Sequence, residues 1–267
     1  FHVNDYSVLT AVYGVRIDGI IGYSLLSRFV IGIDYENAQM DWYTPGVYAY
    51  PRRGYLMHPE LDRLPSQGVQ IQDVRVAQPQ FLVDLGAGLN LLFSKRYAQE
   101  SGVLDLQKKR WVESGEGIGG RIDMELTTLR SARIGPYRFR NVPISIFEDT
   151  YNVTNYPAWA GLIGNDLLRR FNVILNYPKK EIHLTPNRFL ADPFDYSYSG
   201  LELYLIENKI RLGYLAPGSP AEVAGLRLGD EVIAVNKNFS GILNEYKIEL
   251  QKAGEKVRII YRRDEKI

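Results

Sequence analysis

The residue best placed to do chemistry is Asp84, a carboxylate at the end of an apolar run. Residues 81–83 are of strand type, and Gly86 and Gly88 follow the aspartate. A carboxylate delivered by a buried strand is costly unless something requires it there, and glycine lets the backbone turn tightly or approach another segment closely. The stretch therefore predicts either a functional carboxylate or an ordinary β-turn, in which aspartate and glycine are common.

Composition excludes several other kinds of site. The 267 residues contain no cysteine, which rules out disulfides, thiolate metal sites and a cysteine nucleophile. The three histidines lack a ligand spacing, so no metal site is expected. A net charge of +1 argues against a nucleic-acid partner, which needs a concentrated basic face. No apolar stretch approaches the roughly 18 residues of a membrane span, so none is expected.

A second glycine-rich stretch lies downstream of Asp84. Gly115, Gly117, Gly119 and Gly120 are flanked by alternating apolar residues, a pattern typical of a β-hairpin with a flexible tip. Such a tip could serve as a mobile flap or as a plain long turn.

The remaining periodicity predicts short elements. Helical spacing is found at residues 23–29, 91–99 and 166–171, and strand patterns at residues 30–35, 40–43, 69–77 and 173–177. Residues 6–15 show short apolar runs. Residues 44–68 contain several prolines and glycines without a period, which indicates a linker or an irregular crossing.

The chain contains an internal repeat. Residues 18–43 align with residues 160–185 at an offset of 142, with no gap and eight identities in 26 positions. The identical pairs are Gly19/Gly161, Ile21/Ile163, Gly22/Gly164, Leu25/Leu167, Leu26/Leu168, Arg28/Arg170, Phe29/Phe171 and Tyr35/Tyr177. The repeat predicts two copies of one lobe. The counterpart of Asp84 would fall at about position −58, so the first lobe is expected to be represented by its rear portion alone and the chain to be truncated.

The order of these motifs resembles a known family. An Asp-x-Gly-Ala strand end, a glycine-rich hairpin and an apolar-apolar-Gly segment before a short helix follow one another as in a lobe of an aspartic peptidase, close to the bacterial retropepsin-like type with two lobes in one chain. The resemblance covers about residues 69–187 for one lobe and 1–45 for the rear of the other. It implies a peptidase in which each lobe donates one aspartate.

The resemblance also assigns roles to residues. Asp84 would be one catalytic aspartate, with Gly86 and Ala87 supporting its loop and with Gly117, Gly119 and Gly120 in the flap. Two carboxylates held close together share one proton, so one can act as a base and the other as an acid. Leu85 stands where the family has threonine or serine. Loss of that hydroxyl implies catalytic loops that are less firmly tied together.

The C-terminal part resembles a bacterial PDZ domain. The resemblance rests on residues 214–236, where Ser219 and Pro220 are expected to begin a helix, Gly225 to end it, and Gly229 with Asp230 to turn into a buried strand. It implies that the loop and edge strand carrying Gly200, Leu201 and Leu203 bind the terminal carboxylate of an extended peptide. The alternative is a domain that only packs against the lobes.

These observations predict a mostly β protein: acid-protease-type β-barrel lobes, the first incomplete at its N-terminus, followed by an α+β PDZ domain. The expected domains are residues 1–57, 58–190 and 191–267. The predicted function is aspartic endopeptidase activity by a two-aspartate, water-activating mechanism, without cofactor or metal. The rival hypothesis is a catalytically inactive peptide-binding protein.

The expected partners are a polypeptide substrate, peptide C-termini at the PDZ domain, and either the missing lobe fragment or a second copy that supplies another Asp84. The family resemblance implies a periplasmic or secreted location in a bacterium.

Overall fold

A computed structural model describes residues 5–46, 48–61, 64–117, 120–148, 158–194, 199–252 and 254–264. The fold is mostly β, as predicted. The α-helices are α1 (Ser7–Tyr13), α2 (Tyr23–Leu26), α3 (Lys95–Glu100), α4 (Asn165–Leu168), α5 (Pro220–Val223) and α6 (Leu243–Leu250). None of the helices in these ranges is long and apolar enough to cross a bilayer.

The strands are short, apart from those of two hairpins. They are β1 (Val30–Asp34), β2 (Gln39–Tyr43), β3 (Tyr55–Met57), β4 (Glu60–Leu61), β5 (Pro65–Gly68), β6 (Gln70–Gln72), β7 (Val76–Ala77), β8 (Gln80–Val83), β9 (Leu91–Ser94), β10 (Trp111–Gly117), β11 (Gly120–Ile134), β12 (Tyr137–Phe147), β13 (Trp159–Ile163), β14 (Phe171–Asn176), β15 (Glu181–Pro186), β16 (Leu201–Ile206), β17 (Lys209–Leu215), β18 (Glu231–Val235) and β19 (Ile259–Arg262).

The chain divides into two compact units. The larger comprises residues 21–111 and 125–194, and the smaller comprises residues 1–20, 112–124 and 195–267. The smaller unit thus gathers three separate stretches of the sequence. The domain boundaries at residues 57 and 190 stay predictions.

The larger unit contains a five-stranded sheet in the order β2-β1-β14-β15-β3. Four of its five strands come from the two copies of the repeat: β1 and β2 from the first copy, and β14 and β15 from the second. Ile31 of β1 pairs with Trp42, and their counterparts Val173 and Leu184 pair in the same way. Gly32 pairs with Ile174, its own counterpart in the repeat. The two hairpins are therefore related by a pseudo-twofold axis between Gly32 and Ile174.

A second sheet in the order β4-β5-β8-β13-β9-β12-β11-β6-β7, with β10 paired to β11, carries Asp84 at the end of β8. The core of the larger unit lies against both sheets and includes fully buried Ile31, Phe81, Phe93 and Phe171. Phe81 and Phe93 pack with ring centroids 5.4 Å apart, which fixes β8 and β9 on either side of β13.

Two expectations about local structure were wrong, and one apolar run without a predicted element proved helical. Residues 44–68 contain the strands β3, β4 and β5, and residues 91–94 form strand β9 before helix α3 begins at Lys95. The apolar run at residues 6–15 contains helix α1. Strands of two to four residues are too short to show a period of two, and partners that are distant in sequence specify them.

A buried ion pair offers a test of the larger unit's stability. The Asp73 carboxylate accepts hydrogen bonds from Lys108 Nζ at 2.8 Å and from the Asp105 N–H at 2.9 Å, and its side chain is 1% exposed. Replacing Lys108 with methionine removes the nearer cation and leaves Arg130 Nε, at 3.8 Å and largely exposed, as a weaker partner of the buried carboxylate. We therefore expect the free energy of unfolding to fall by about 3 kcal/mol in urea titrations. Arg16→Met, at the exposed Arg16–Asp18 pair, is the control and should change it by less than about 0.5 kcal/mol. Equal losses in the two variants would contradict this account.

The smaller unit contains a four-stranded sheet in the order β16-β17-β18-β19, with helices α5 and α6. Its core includes Leu201, Leu203, Leu212 and Tyr246. The helix predicted after Ser219 is present as α5: the Ser219 hydroxyl accepts the Glu222 N–H at 3.2 Å, and Gly225 follows with φ of 89°. Asp230 accepts the Arg227 N–H and a bidentate pair of bonds from Arg263. This part of the chain is α+β.

Candidate functional site

The Asp84 loop is built by an unusual crossing of three strands. β13 lies between β8 and β9, parallel to β8 and antiparallel to β9. The loop at residues 84–90, which joins β8 to β9, must therefore pass over the end of β13. Asp84 N–H donates to the Ile163 carbonyl at 2.9 Å, and Gly164 N–H donates to the Asn90 carbonyl at 2.9 Å. Both ends of the loop are thus fixed to the strand that passes beneath it.

Glycine is required where β13 passes under the loop. A Cβ atom at Gly164 would lie 2.1 Å from the Leu89 carbonyl oxygen, and one at Gly161 would lie 1.8 Å from the Leu92 carbonyl oxygen. Both obstacles are backbone, which cannot move aside as a flexible side chain can. The two glycines of the predicted segment at residues 161–164 therefore permit the close approach that holds the Asp84 loop in place.

The Asp84 carboxylate is exposed and held by its own loop. Its Oδ1 accepts the Gly86 N–H at 2.8 Å, and the residue is exposed to solvent. The Ala87 carbonyl accepts the N–H groups of Leu89 and Asn165. Gly86 and Ala87 therefore take part in hydrogen bonds of this loop, and their role in supporting catalysis stays a prediction. Leu85 is partly buried and packs against the hydrophobic core of the larger unit.

The two copies of the repeat meet next to this loop through side chains that sequence reasoning assigned no role. The Tyr35 hydroxyl of the first copy donates to Asn165 Oδ1 of the second. The symmetry-related contact joins Tyr177 of the second copy to Tyr23 of the first, with ring centroids 5.7 Å apart. Tyr35 and Tyr177 are identical residues of the repeat, and that identity was the signal that could have found them.

Both of these phenols stay neutral well above physiological pH. Burial raises the pKa of Tyr35 to about 12. Burial, with smaller contributions from Tyr23 and from the Asp84 carboxylate, also raises the pKa of Tyr177 above its ordinary value. A neutral phenol is a hydrogen-bond donor, so this region can present O–H groups near Asp84 throughout the acidic and neutral range.

Other aspartates of the repeat have structural explanations. Asp34 accepts the N–H groups of Glu36 and Asn37 in a turn, and hydrogen bonding from the Asn37 side chain lowers its pKa. Asp18 forms an exposed ion pair with Arg16 at 2.7 Å. Asp166 lies in the first turn of α4, where a carboxylate favours the helix. Among the described residues, no group of three or more His, Cys, Asp or Glu side chains could hold a metal ion.

The predicted flap is a β-hairpin in the structure. Gly117 ends β10 and Gly120 begins β11. Gly119 lies outside the described residues. Within the hairpin, a Cβ atom at Gly115 would lie 2.7 Å from Met124 Cε, so the Met124 side chain covers the space beside this glycine. The hairpin residues 112–124 belong to the smaller unit and Asp84 to the larger, and a flap role stays a prediction.

The predicted peptide loop of the C-terminal part precedes the edge strand β16. Gly200 has φ of 73°, and a Cβ atom there would lie 2.4 Å from Ser219 Cβ. Its carbonyl accepts the Ala216 N–H at 2.8 Å. Leu201 and Leu203 are buried core residues, so their side chains face the interior. A bound peptide could use the backbone of this strand.

Comparisons with known proteins find a family match over part of the chain. No curated protein matches the chain. A retropepsin-like aspartic protease from Rickettsia conorii is similar in structure, with 21% sequence identity over 49% of this chain and 97% of that protein, at a TM-score of 0.36. Residues 68–167 match the family model described as "Aspartyl protease". The matched residues contain the Asp84 loop, hairpin β10–β11 and the Gly161–Gly164 crossing, and this segment of the chain is therefore similar to the aspartyl protease family.

Proposed function

We propose that this chain acts as an aspartic endopeptidase in which Asp84 supplies one carboxylate of a catalytic pair. The observation that carries the proposal is the Asp84 loop itself. It presents an exposed carboxylate, held by the Gly86 N–H, above the close crossing at Gly164. Such a loop fixes one carboxylate while leaving an oxygen free for a second group or a water molecule.

The chemistry requires a second carboxylate. When two carboxyl groups share one proton, the ionised one takes a proton from water and the protonated one polarises the scissile carbonyl. Their titration belongs to the pair and not to either residue. Asp18, Asp34 and Asp166 are occupied as described above, so we propose that the partner of Asp84 comes from a complementary lobe. The substrate is a polypeptide bound in extended form, with the β10–β11 hairpin as its flap.

The exposure of apolar residues in the first copy of the repeat is evidence for the proposal of a complementary lobe. Met40 and Trp42 of β2 are 44% and 37% exposed, whereas their counterparts Ile182 and Leu184 in β15 are 3% and 0% exposed. The two hairpins have the same pairing register, so the difference arises from what covers them. β3 flanks β15 in the described sheet, and no described strand flanks β2 in the same way.

Helix α2 and the residues that lead into it show the same difference in exposure. Ile21 and Leu25 are 51% and 41% exposed, and their counterparts Ile163 and Leu167 are fully buried. Exposed apolar residues that form a contiguous surface commonly mark an interaction site. We propose that the partner is a lobe that places a strand beside β2 and an apolar core over Met40 and Trp42, as residues 55–165 do for β15. The same lobe would contribute the second carboxylate.

Two arrangements can supply this lobe, and activity measurements separate them. In the first, a different polypeptide segment supplies the complementary lobe, and residues 1–267 alone cleave no peptides. In the second, two copies of the chain bring two Asp84 carboxylates together. Assaying a pool of fluorogenic peptides with the isolated chain, in parallel with sedimentation, tests both. Cleavage by a monomer of residues 1–267 would sink the proposal of a pair completed from outside.

A second proposed function belongs to the smaller unit. We propose that the edge strand β16, with the Gly200 loop before it and helix α6 beside it, binds the C-termini of peptides in the manner of a PDZ domain. The supporting observation is the position of β16 at the end of the four-stranded sheet, next to a loop that only glycine can form. An edge strand can accept an extended peptide, and loop N–H groups can bind its carboxylate.

This peptide site can be tested with matched ligands. In fluorescence anisotropy titrations of the full chain, we expect peptides with a free C-terminus to bind about tenfold or more tightly than the same peptides with an amidated C-terminus, because amidation removes the charge that the loop receives. Affinity that does not change on amidation would rule out the carboxylate role. Peptide binding without cleavage by any assembled form would favour the rival function, an inactive peptide-binding protein.

A further inference from the structure

Helix α1, near the start of the chain, packs against a strand near its other end. α1 and β16 are in contact, and both belong to the smaller unit. α1 has seven residues, none of them fully buried. A helix of this length is marginal in water without tertiary contacts, so the neighbouring domain stabilises it.

The end of α1 is also fixed to helix α6. The Val12 carbonyl, one of the last of α1, accepts a hydrogen bond from Lys247 Nζ at 2.8 Å. Carbonyls in the last turn of a helix have no partner within the helix, and a lysine is well suited to satisfy one. Gly14 then ends the helix with φ of 70°. A Cβ atom there would lie 2.7 Å from Leu243 Cβ, so the backbone of Gly14 rests directly on α6.

The amine of Lys247, on α6, interacts with both α1 and β16. Burial lowers the pKa of its amine, and Glu202 of β16 opposes that shift. Lys247 therefore lies on the β16-facing side of α6, where its charge interacts with Glu202 and its N–H reaches α1. A partly buried ammonium group needs such acceptors to offset the loss of solvent.

We propose that α1 is an internal ligand of the C-terminal domain, docked on β16 and α6 where the proposed peptide would bind. The helix is anchored by the Lys247–Val12 bond and by the contact of Gly14 with Leu243. A peptide that binds this groove must first displace α1. The segment is covalently attached, so it competes intramolecularly with any free peptide. This proposal rests on the proposed function in one respect: it takes from it that the molecule competing with α1 is a peptide C-terminus.

Amide hydrogen exchange in the full chain tests the docking directly. Gly14→Ala places a side chain in a left-handed position against Leu243, and Lys247→Gln removes the charged donor. We expect amides of residues 10–14 to exchange about tenfold or more faster in both variants. Val8→Ser, on the exposed side of the same helix, is the control and should exchange as the unmodified chain does. Equal exchange in all four proteins would overturn the proposal.

A competition experiment then tests whether the groove is vacated. A fluorescent synthetic peptide of residues 5–17 should bind the Gly14→Ala chain about tenfold or more tightly than the unmodified chain, because the tethered segment no longer competes. Adding Lys247→Gln to Gly14→Ala should weaken that binding again. Equal affinity for the unmodified and Gly14→Ala chains would also overturn the proposal. If amide exchange becomes faster in both variants as expected but no peptide C-terminus binds, the proposed PDZ-like function is wrong. The proposal that α1 is an internal ligand then still holds.

Discussion

Replacing Asp84 with asparagine is expected to reduce peptide cleavage by the assembled two-lobe protein about a thousandfold or more. The amide can still accept the Gly86 N–H, so the loop keeps its geometry. It cannot take a proton from water, which removes the acid–base contribution to the rate. Because Asp84 is exposed, the melting temperature should stay the same. The measurement is kcat/KM for a fluorogenic peptide at acidic pH, together with thermal unfolding of the same samples.

Controls and mixing experiments make this result specific. Asp18→Asn removes a carboxylate from an exposed ion pair and should leave cleavage unchanged. Mixing Asp84→Asn chains with unmodified chains distinguishes the source of the second carboxylate. Activity should fall in proportion to the unmodified fraction if each site uses one Asp84, and more steeply if two copies contribute. Cleavage that survives Asp84→Asn would show that another group performs the chemistry.

The second large effect is expected at Gly164. Gly164→Ala would place a Cβ atom 2.1 Å from the Leu89 carbonyl oxygen, and the clash is with backbone on a loop that is hydrogen-bonded at both ends. Relief requires the Asp84 loop to move away from β13, at a cost of about 3 kcal/mol or more in the free energy of unfolding. Urea unfolding measures the loss, and hydrogen exchange at residues 84–90 should show the loop loosened.

The repeat supplies a matched control for this substitution. Gly22 is the counterpart of Gly164, it also precedes a short helix, and a Cβ atom there would meet nothing within 4 Å. In the isolated chain, Gly22→Ala should change the free energy of unfolding by less than about 0.5 kcal/mol. A comparable loss in both variants would show that the crossing at Gly164 is not the cause.

Sequence reasoning found the parts of the fold that repeat or that carry turn chemistry. The aligned glycines and leucines at residues 18–43 and 160–185 predicted equivalent elements, and the two hairpins share one register. Asp84 was placed at the end of β8 by the apolar run before it. Ser219 and Gly225 marked the limits of α5. In each case the signal is local, because capping, tight turns and periodicity act within a few residues.

What the sequence could not provide were interactions between distant segments. The contact of Tyr35 with Asn165 depends on how two hairpins pair across more than a hundred residues. Strand β3 pairs with β15, β5 pairs with β8, and β4 pairs with β5, whereas the residues of these strands show no period of their own. Likewise, the residues of α1 do not indicate by themselves that this helix contacts β16 and α6. Residues 44–68 therefore appeared irregular until their partners were known.

The pairing of Gly32 with Ile174 has a consequence for how the protein behaves at high concentration. The β1–β2 and β14–β15 hairpins meet through the pairing of β1 with β14, and the first hairpin of one molecule can make the same hydrogen bonds to the second hairpin of another. Two molecules that exchange hairpins reciprocally would close into a symmetric swapped dimer, with no new interface needed at this sheet. Mass action and the flexibility of the connecting chain then decide between the closed monomer and the exchanged pair.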